Sequence, residues 1–270
     1  MSAAVVPVLI CRVNGYMTAP SDDLLAVEEP LEIRLGRRSL SVTMRTPGSD
    51  FELAAGFLFS EGMIRDIAEV RSMTRMSDGN PNIVVVELEG AGAQPPVQAQ
   101  RNFIMTSACG LCGKASLEDL EVNTCPTLAD DNVQIAPEII HQMPDRLRRA
   151  QNVFDSTGGL HAAALFDLDG ELESLREDIG RHNAVDKLIG AALSGHRLPL
   201  NKSLLLVSGR ASFELVQKAL VAGIPVMAAV GAPSSLAVAT AERSGMTLIG
   251  FARNSRFNVY AGNHRILGLE

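Results

Sequence analysis

Cys109 and Cys112 stand three residues apart in the segment Thr106-Ser107-Ala108-Cys109-Gly110-Leu111-Cys112-Gly113-Lys114-Ala115-Ser116. Thiols at that spacing can share a metal, close a disulfide, or divide sulfur transfer between a carrier and a resolving group. Gly110 and Gly113 keep the loop free of Cβ clashes, so its amides can face an anion. Lys114 and a helix start behind it would lower a thiol pKa and enlarge the thiolate fraction. Structural zinc needs four ligands, and there is no second Cys-x-x-Cys. Cys125 and His141 are spaced too loosely to make a convincing set. A thioredoxin-like site should follow a strand in a βαβ unit, a context that is weak here. A persulfide-carrying or redox loop is the reading that remains, and Cys11 and Cys125 read as filler.

Three further clusters carry groups that bind ligands. Phe154-Asp155-Ser156-Thr157-Gly158-Gly159-Leu160-His161-Ala162 places a Gly-Gly pair before a strand, which allows close backbone approach to a ligand. There His161 is balanced between a core role and a site role. Arg176 to Lys187 is dense in charge, and its Gly180-Arg181-His182-Asn183 sets donors at a helix N-terminus, a natural anion site. A solvated turn is the plainer account of that run. The last cluster is a set of turns: Ser208-Gly209-Arg210, Gly231-Ala232-Pro233-Ser234-Ser235 and Arg253-Asn254-Ser255-Arg256. Each follows a predicted parallel strand, and open α/β sheets bind ligands beyond the carboxyl ends of their strands. Arginine grips phosphate bidentately, so together the turns describe a phosphate or nucleotide cleft. Neither the Walker A pattern nor the GxGxxG fingerprint is present.

The elements that must position these groups fall into two halves. Before residue 100 the chain reads as β-rich, with a hairpin about Gly36-Arg37-Arg38, one apolar helix over Phe51 to Ser60, and a strand over Asn82 to Leu88. The segment Gly90 to Gln100, rich in glycine and proline, marks a boundary between residues 1–100 and 101–270. After it come a helix over Pro137 to Val153, a hairpin through Asp167-Leu168-Asp169-Gly170, and an amphipathic helix over Asn183 to Leu193. Apolar strands at Ser203 to Val207, Pro225 to Val230 and Met246 to Ala252 then alternate with helices, which predicts a parallel sheet covered on both faces.

Composition narrows the function classes. Of 270 residues, 46% are apolar and 20% charged, enough for a sizeable core and unlike a disordered chain. The net charge of -7 disfavours a general nucleic-acid binder. No apolar run reaches the roughly 18 residues of a membrane span, and the N-terminus lacks the basic start of a signal peptide. A cytoplasmic protein is expected.

The Cys109 loop resembles the signature of the formate dehydrogenase accessory sulfurtransferase family, FdhD. Thr157-Gly158-Gly159-Leu160-His161-Ala162-Ala163, the run Glu177 to Lys187, and Ser208-Gly209-Arg210 resemble that family's motifs in the same order. So do Gly250-Phe251-Ala252-Arg253 with Arg256-Phe257-Asn258-Val259-Tyr260, and the early Arg45-Thr46-Pro47-Gly48 and Glu52 to Leu58. The resemblance implies a sulfurtransferase that takes sulfur as a persulfide from a cysteine desulfurase. It implies delivery to the molybdenum bis-molybdopterin guanine dinucleotide cofactor of formate dehydrogenase, with GDP as a fragment ligand. It also implies an α/β, cytidine-deaminase-like three-layer domain with a mainly parallel sheet, a smaller β-rich N-terminal part, and a homodimer. The deaminase zinc signature is missing, since His161 is followed by Ala162 and Ala163 and no Pro-Cys-x-x-Cys occurs.

On this reading Cys109 bears the sulfur and Cys112 helps or resolves. Phe251, Ala252, Arg253, Asn254, Ser255 and Arg256 line the cofactor cleft with Gly209, Arg210, Gly231, Ser234, His161, Arg181 and His182, and no metal is expected. The alternatives are a non-catalytic, cofactor-binding chaperone of formate dehydrogenase and a zinc-dependent nucleoside deaminase.

Overall fold

The structure is a computed structural model that describes residues 4–76, 80–90, 103–104, 126–128 and 132–269, the pair 103–104 by backbone alone. Strands β1 (Val5–Asn14) and β2 (Met17–Ala26) form an antiparallel hairpin about Gly15, which adopts φ 63 at the turn. A five-stranded sheet follows, built from β3 (Glu29–Leu35), β4 (Arg38–Arg45), β5 (Val70–Arg75), β6 (Ile83–Leu88) and β7 (Phe103–Ile104) in the order β5-β6-β3-β4-β7. The expected hairpin about Gly36 is β3–β4. Helix α1 (Asp50–Ser60) buries Leu53, Ala54, Phe57 and Leu58 against Leu31, Ile33, Leu40, Val84 and Val86 of this sheet.

The remaining strands make one six-stranded sheet: β8 (His161–Phe166), β9 (Leu172–Asp178), β10 (Leu204–Val207), β11 (Val226–Ala229), β12 (Thr247–Arg253) and β13 (Arg256–Ala261), ordered β13-β12-β11-β10-β8-β9. Only β10–β11 and β11–β12 pair in parallel, while β8–β9, β8–β10 and β12–β13 are antiparallel. The sheet is therefore mixed, and the expectation of a mainly parallel one is corrected. Tight turns join β8 to β9 and β12 to β13, and such turns can connect only antiparallel neighbours.

Alternation along the strands sorts side chains to two faces. Ala163, Leu165, Leu205, Val207, Met227 and Leu248 face α4 (Arg181–Ser194), α5 (Phe213–Val221) and α6 (Ser235–Ser244). Ala162, Ala164, Phe166, Leu206, Val226 and Ile249 face α2 (Pro137–Ala150), which offers Ile140, Met143 and Leu147 at helical spacing. The expected helix over Pro137 to Val153 stops at Ala150, and a short α3 (Asn152–Thr157) continues after a break at Gln151.

Helix α4 departs from the amphipathic reading, because it buries Asp186 and Lys187 as well as its apolar residues. The sheet covers one side and α1 the other. Gly56 and Gly190 meet at the crossing: a Cβ on Gly56 would lie 1.9 Å from the carbonyl oxygen of Asp186. Burying charge is costly unless it is paired. Lys218 Nζ accordingly donates to both Asp186 oxygens at 2.8 and 3.0 Å, and Lys187 sits 2.7 Å from Asp178. No helix among the described residues is long and apolar enough to cross a membrane.

Candidate functional site

The site lies at the carboxyl ends of β10, β11 and β12, where backbone hydrogen bonds continue past the strands. Val230 N–H donates to Val207 O at 3.1 Å, Gly231 N–H to Gly209 O at 2.9 Å, and Phe251 N–H to Gly231 O at 3.0 Å. These bonds draw Gly209, Gly231 and Phe251 together. The glycines suit the crowding, since a Cβ on Gly231 would stand 3.0 Å from Gly209 O and one on Gly209 3.4 Å from His161 Nδ1. From the neighbouring antiparallel strand, Ala162 N–H donates to Ser208 Oγ at 2.9 Å, which fixes His161 beside the turn.

The head of α4 supplies Arg181 and His182. Asp178 builds that turn by accepting from Gly180 N–H at 2.8 Å and Asn183 Nδ2 at 3.0 Å. The early Thr46 is tied to the same knot: its N–H donates to Asp178 at 3.2 Å and its carbonyl accepts from Lys187 at 2.9 Å. The resulting turn carries one unsatisfied donor, because Arg181 Nε is buried without a partner. His182 is buried and held by Glu214 at 2.8 Å.

Arg253 to Arg256 form the tip of the β12–β13 hairpin rather than a loop beyond a last parallel strand. Asn254 and Ser255 both adopt φ 53, as a two-residue hairpin turn requires. Arg253 therefore faces Arg256 across the ladder, both exposed, with the Arg253 guanidinium 5.8 Å from the Phe251 ring. A register shift between Gly250 and Arg253 turns Phe251 to φ 54, a strained conformation for an aromatic residue. Ala252 is buried in the apolar layer under α2. Arg210 and Ser234 are exposed, and Ser234 Oγ caps α6 by accepting from Ala237 N–H at 3.2 Å. Cys109 and Cys112 lie outside the described residues.

Burial first, then the charges of Arg181 and His182, hold the pKa of His161 below its usual value, with Asp178 pulling the other way. The imidazole is thus neutral at pH 7 and offers one donor and one acceptor. An NMR titration of His161 is expected to show a midpoint below the ordinary value of about 6.5. The folded-state pKa lies beneath the unfolded one. This residue's share of stability is therefore full above about pH 6.5 and lost as pH falls toward the folded value. His161→Gln should flatten that part of the melting-temperature profile between pH 7 and 5.

Between these turns and α2–α3 lies a cavity of about 460 Å³ bounded by Leu147, Gln151, Phe154, Gly159, His161 and Val230. Nothing in the sequence singled out Gln151, since a lone glutamine near a helix end carries no pattern. The motif clusters quoted for Phe154 to Ala162 and for Ser208 do reach this cavity from two sides.

Residues 26–267 match the FdhD/NarQ family. The chain is 53% identical over 264 residues to the sulfur carrier protein FdhD of Streptomyces avermitilis, covering 95% of this chain and 94% of that one. It is 44% identical to the sulfur carrier protein FdhD of Sulfolobus acidocaldarius, covering 96% and 97% respectively. A crystal structure from Desulfotalea psychrophila, described as a candidate formate dehydrogenase accessory protein, superposes with a TM-score of 0.76 at 26% identity, covering 98% of this chain and all of that one. The motifs that converge on one sheet edge and the match along almost the whole chain have one meaning: this protein belongs to the FdhD/NarQ family.

Proposed function

We propose that the protein is a sulfur carrier in formate dehydrogenase maturation. It takes sulfur from a cysteine desulfurase as a persulfide on Cys109 and delivers it to the molybdenum bis-molybdopterin guanine dinucleotide cofactor. In the loading step the Cys109 thiolate attacks the terminal sulfur of the donor's persulfide. A new S–S bond forms, the donor's S–S bond breaks, and the donor cysteine leaves as thiolate. The reading includes a cytoplasmic homodimer and a deaminase-like architecture for the three-layer unit, in keeping with helices on both faces of its sheet.

One observation carries the cofactor half of this reading. The turns after β10 and β11, the head of α4 and His161 meet at one sheet edge, and a buried Arg181 Nε waits there without a partner. Such an edge suits the phosphates of a nucleotide-bearing substrate. The names of the relatives support the sulfur half.

The hairpin arginines test the placement of the phosphates. Each charge-assisted hydrogen bond contributes roughly 1.5–3 kcal/mol, so Arg253→Ala with Arg256→Ala should weaken GDP binding at least about tenfold. Sulfur loading on Cys109 should survive, because the desulfurase step does not use the cofactor. Calorimetric titration with GDP measures the first effect and intact mass after desulfurase treatment the second. An unchanged GDP affinity would defeat this placement. A wild-type protein that gains no sulfur mass would instead leave only a cofactor-binding chaperone.

A further inference from the structure

Strands β1 and β2 form a ribbon that the rest of the chain leaves largely uncovered. Of the twelve strongly exposed large apolar side chains among the described residues, seven lie on this hairpin, with Leu9 71% and Val13 65% exposed. Every residue from Cys11 to Pro20 is exposed. A two-stranded hairpin is at best marginally stable in water, and three or more strands with an apolar face are needed to hold such a sheet. Nearly all of the ribbon precedes residues 26–267, so its role does not follow from the family match.

Two prolines fix which edge can take a further strand. Opposed residues of an antiparallel pair alternate between exchanging two hydrogen bonds and exchanging none. Pro7 is opposite Leu24, and Pro20 is opposite Cys11. Proline has no N–H, so both pairs are of the second kind and their backbone groups point away from the ribbon. The same phase turns the N–H and C=O of Leu9, Cys11 and Val13 outward from β1. Among the described residues β1 pairs with β2 alone, so these three residues present an unbroken row of donors and acceptors. The outer edge of β2 has no such row. Pro20 removes its central donor and Asp22 sets a charge beside it, both of which discourage edge pairing.

We propose that β1 pairs antiparallel with β1 of a second copy about a two-fold axis at Cys11, which gives a four-stranded sheet of order β2-β1-β1-β2 across the homodimer. The inference rests on the homodimer reading above and names its interface. The edge is self-complementary. With the axis at Cys11, Leu9 of each copy faces Val13 of the other, and the outward residues exchange about six hydrogen bonds. Neighbouring registers are worse. An axis at Ile10 brings Pro7 opposite Val13 and loses a donor, and an axis at Arg12 sets two arginines face to face. The size also fits, since a standard interface takes roughly 20–30 residues a side and the ribbon offers two strands of 10 residues. Such a contact is isologous, so it closes at two copies and does not grow into a fibre.

The test is analytical ultracentrifugation of the full chain. Wild type should sediment as a dimer. Leu9→Lys with Val13→Lys sets like charges opposite each other and should raise the dimer dissociation constant at least about tenfold. Leu9→Lys with Val13→Glu sets opposite charges in the same pairs and should recover most of that loss, because an axis at Cys11 brings these two positions together. In a chain whose Cys109, Cys112 and Cys125 are replaced by serine, a short bis-maleimide should join two chains through Cys11. A dimer that both double variants leave unchanged, or one that gives no Cys11 crosslink, overturns this interface and leaves the homodimer reading standing. A dimer weakened by both double variants alike overturns the axis at Cys11. A wild type that stays monomeric overturns both the interface and the homodimer.

Discussion

Cys109→Ala should reduce sulfur loading to background and abolish activation of formate dehydrogenase, the largest functional effect expected of any single change. The carried sulfur needs a thiolate to bond to, and alanine offers none. Gly110, Gly113 and Lys114 are near neighbours of Cys109 in the sequence, and a lysine close to a thiol favours the thiolate. Cys112→Ala should show a weaker defect, since a resolving thiol acts only after loading. Cys11 is an internal control: it is exposed on β1, opposite Pro20, far along the chain from the signature loop. Cys11→Ser should load sulfur as wild type does. Intact mass after treatment with a cysteine desulfurase and cysteine reads all three variants, and restored formate dehydrogenase activity in cells lacking the native protein reads the consequence. A full sulfur load on Cys109→Ala would sink the assignment. A worse defect in Cys112→Ala would reverse the two roles.

The largest effect on stability should come from the smallest substitution, Gly190→Ala. A Cβ there would lie 1.8 Å from Glu52 O and 2.8 Å from Gly56 N, both backbone atoms of α1. No side chain can swing aside to relieve the collision, so the two helices must part. Parting strains what the crossing holds in register: the Arg176–Glu52 pair at 2.6 and 2.8 Å, and the bond from Ser60 Oγ to Asp186 at 3.0 Å. Helix propensity works the other way, since alanine exceeds glycine by about 1 kcal/mol inside a helix. Overpacking costs about 1–3 kcal/mol and sometimes more, and a backbone collision belongs at the upper end. The collision should win, with a net loss of at least about 2 kcal/mol and a melting temperature lower by roughly 4–8 °C. Gly56→Ala should behave alike, and the double variant should cost less than the sum because both strike the same crossing. A higher melting temperature for Gly190→Ala would mean that propensity decides and the helices are not in contact.

How much of this was legible beforehand depends on the range of the interactions concerned. Strand and helix order was readable because apolar periodicity and turn residues are local. The hairpin about Gly36, the three strands that follow one another through β10, β11 and β12, and the helices between them all appear where periodicity placed them. The clusters around His161, Arg181, Gly209 and Phe251 were visible as residue types, because glycine, histidine and arginine beside turns are unusual for a core. Local pattern has no access to pairing partners or to what covers a face. The sheet is mixed because hairpins add β9 and β13 at its edges and because β8 pairs antiparallel with β10, and only the last is a non-local choice. Helix α4 reads as amphipathic in the sequence; it is buried because Lys218, 32 residues on, neutralises Asp186 and Asp178 neutralises Lys187. Arg253 and Arg256 looked like one loop, and only the return of β13 alongside β12 made them opposite members of a hairpin tip. Gln151 had no signal at all, since its place beside the cavity exists only once folding has brought α2 and α3 to the sheet edge. The sequence by itself determined the elements and the chemistry each could bring, because both are written in neighbouring residues. The tertiary structure alone decided which of those groups meet at one sheet edge, because that depends on contacts between residues far apart along the chain.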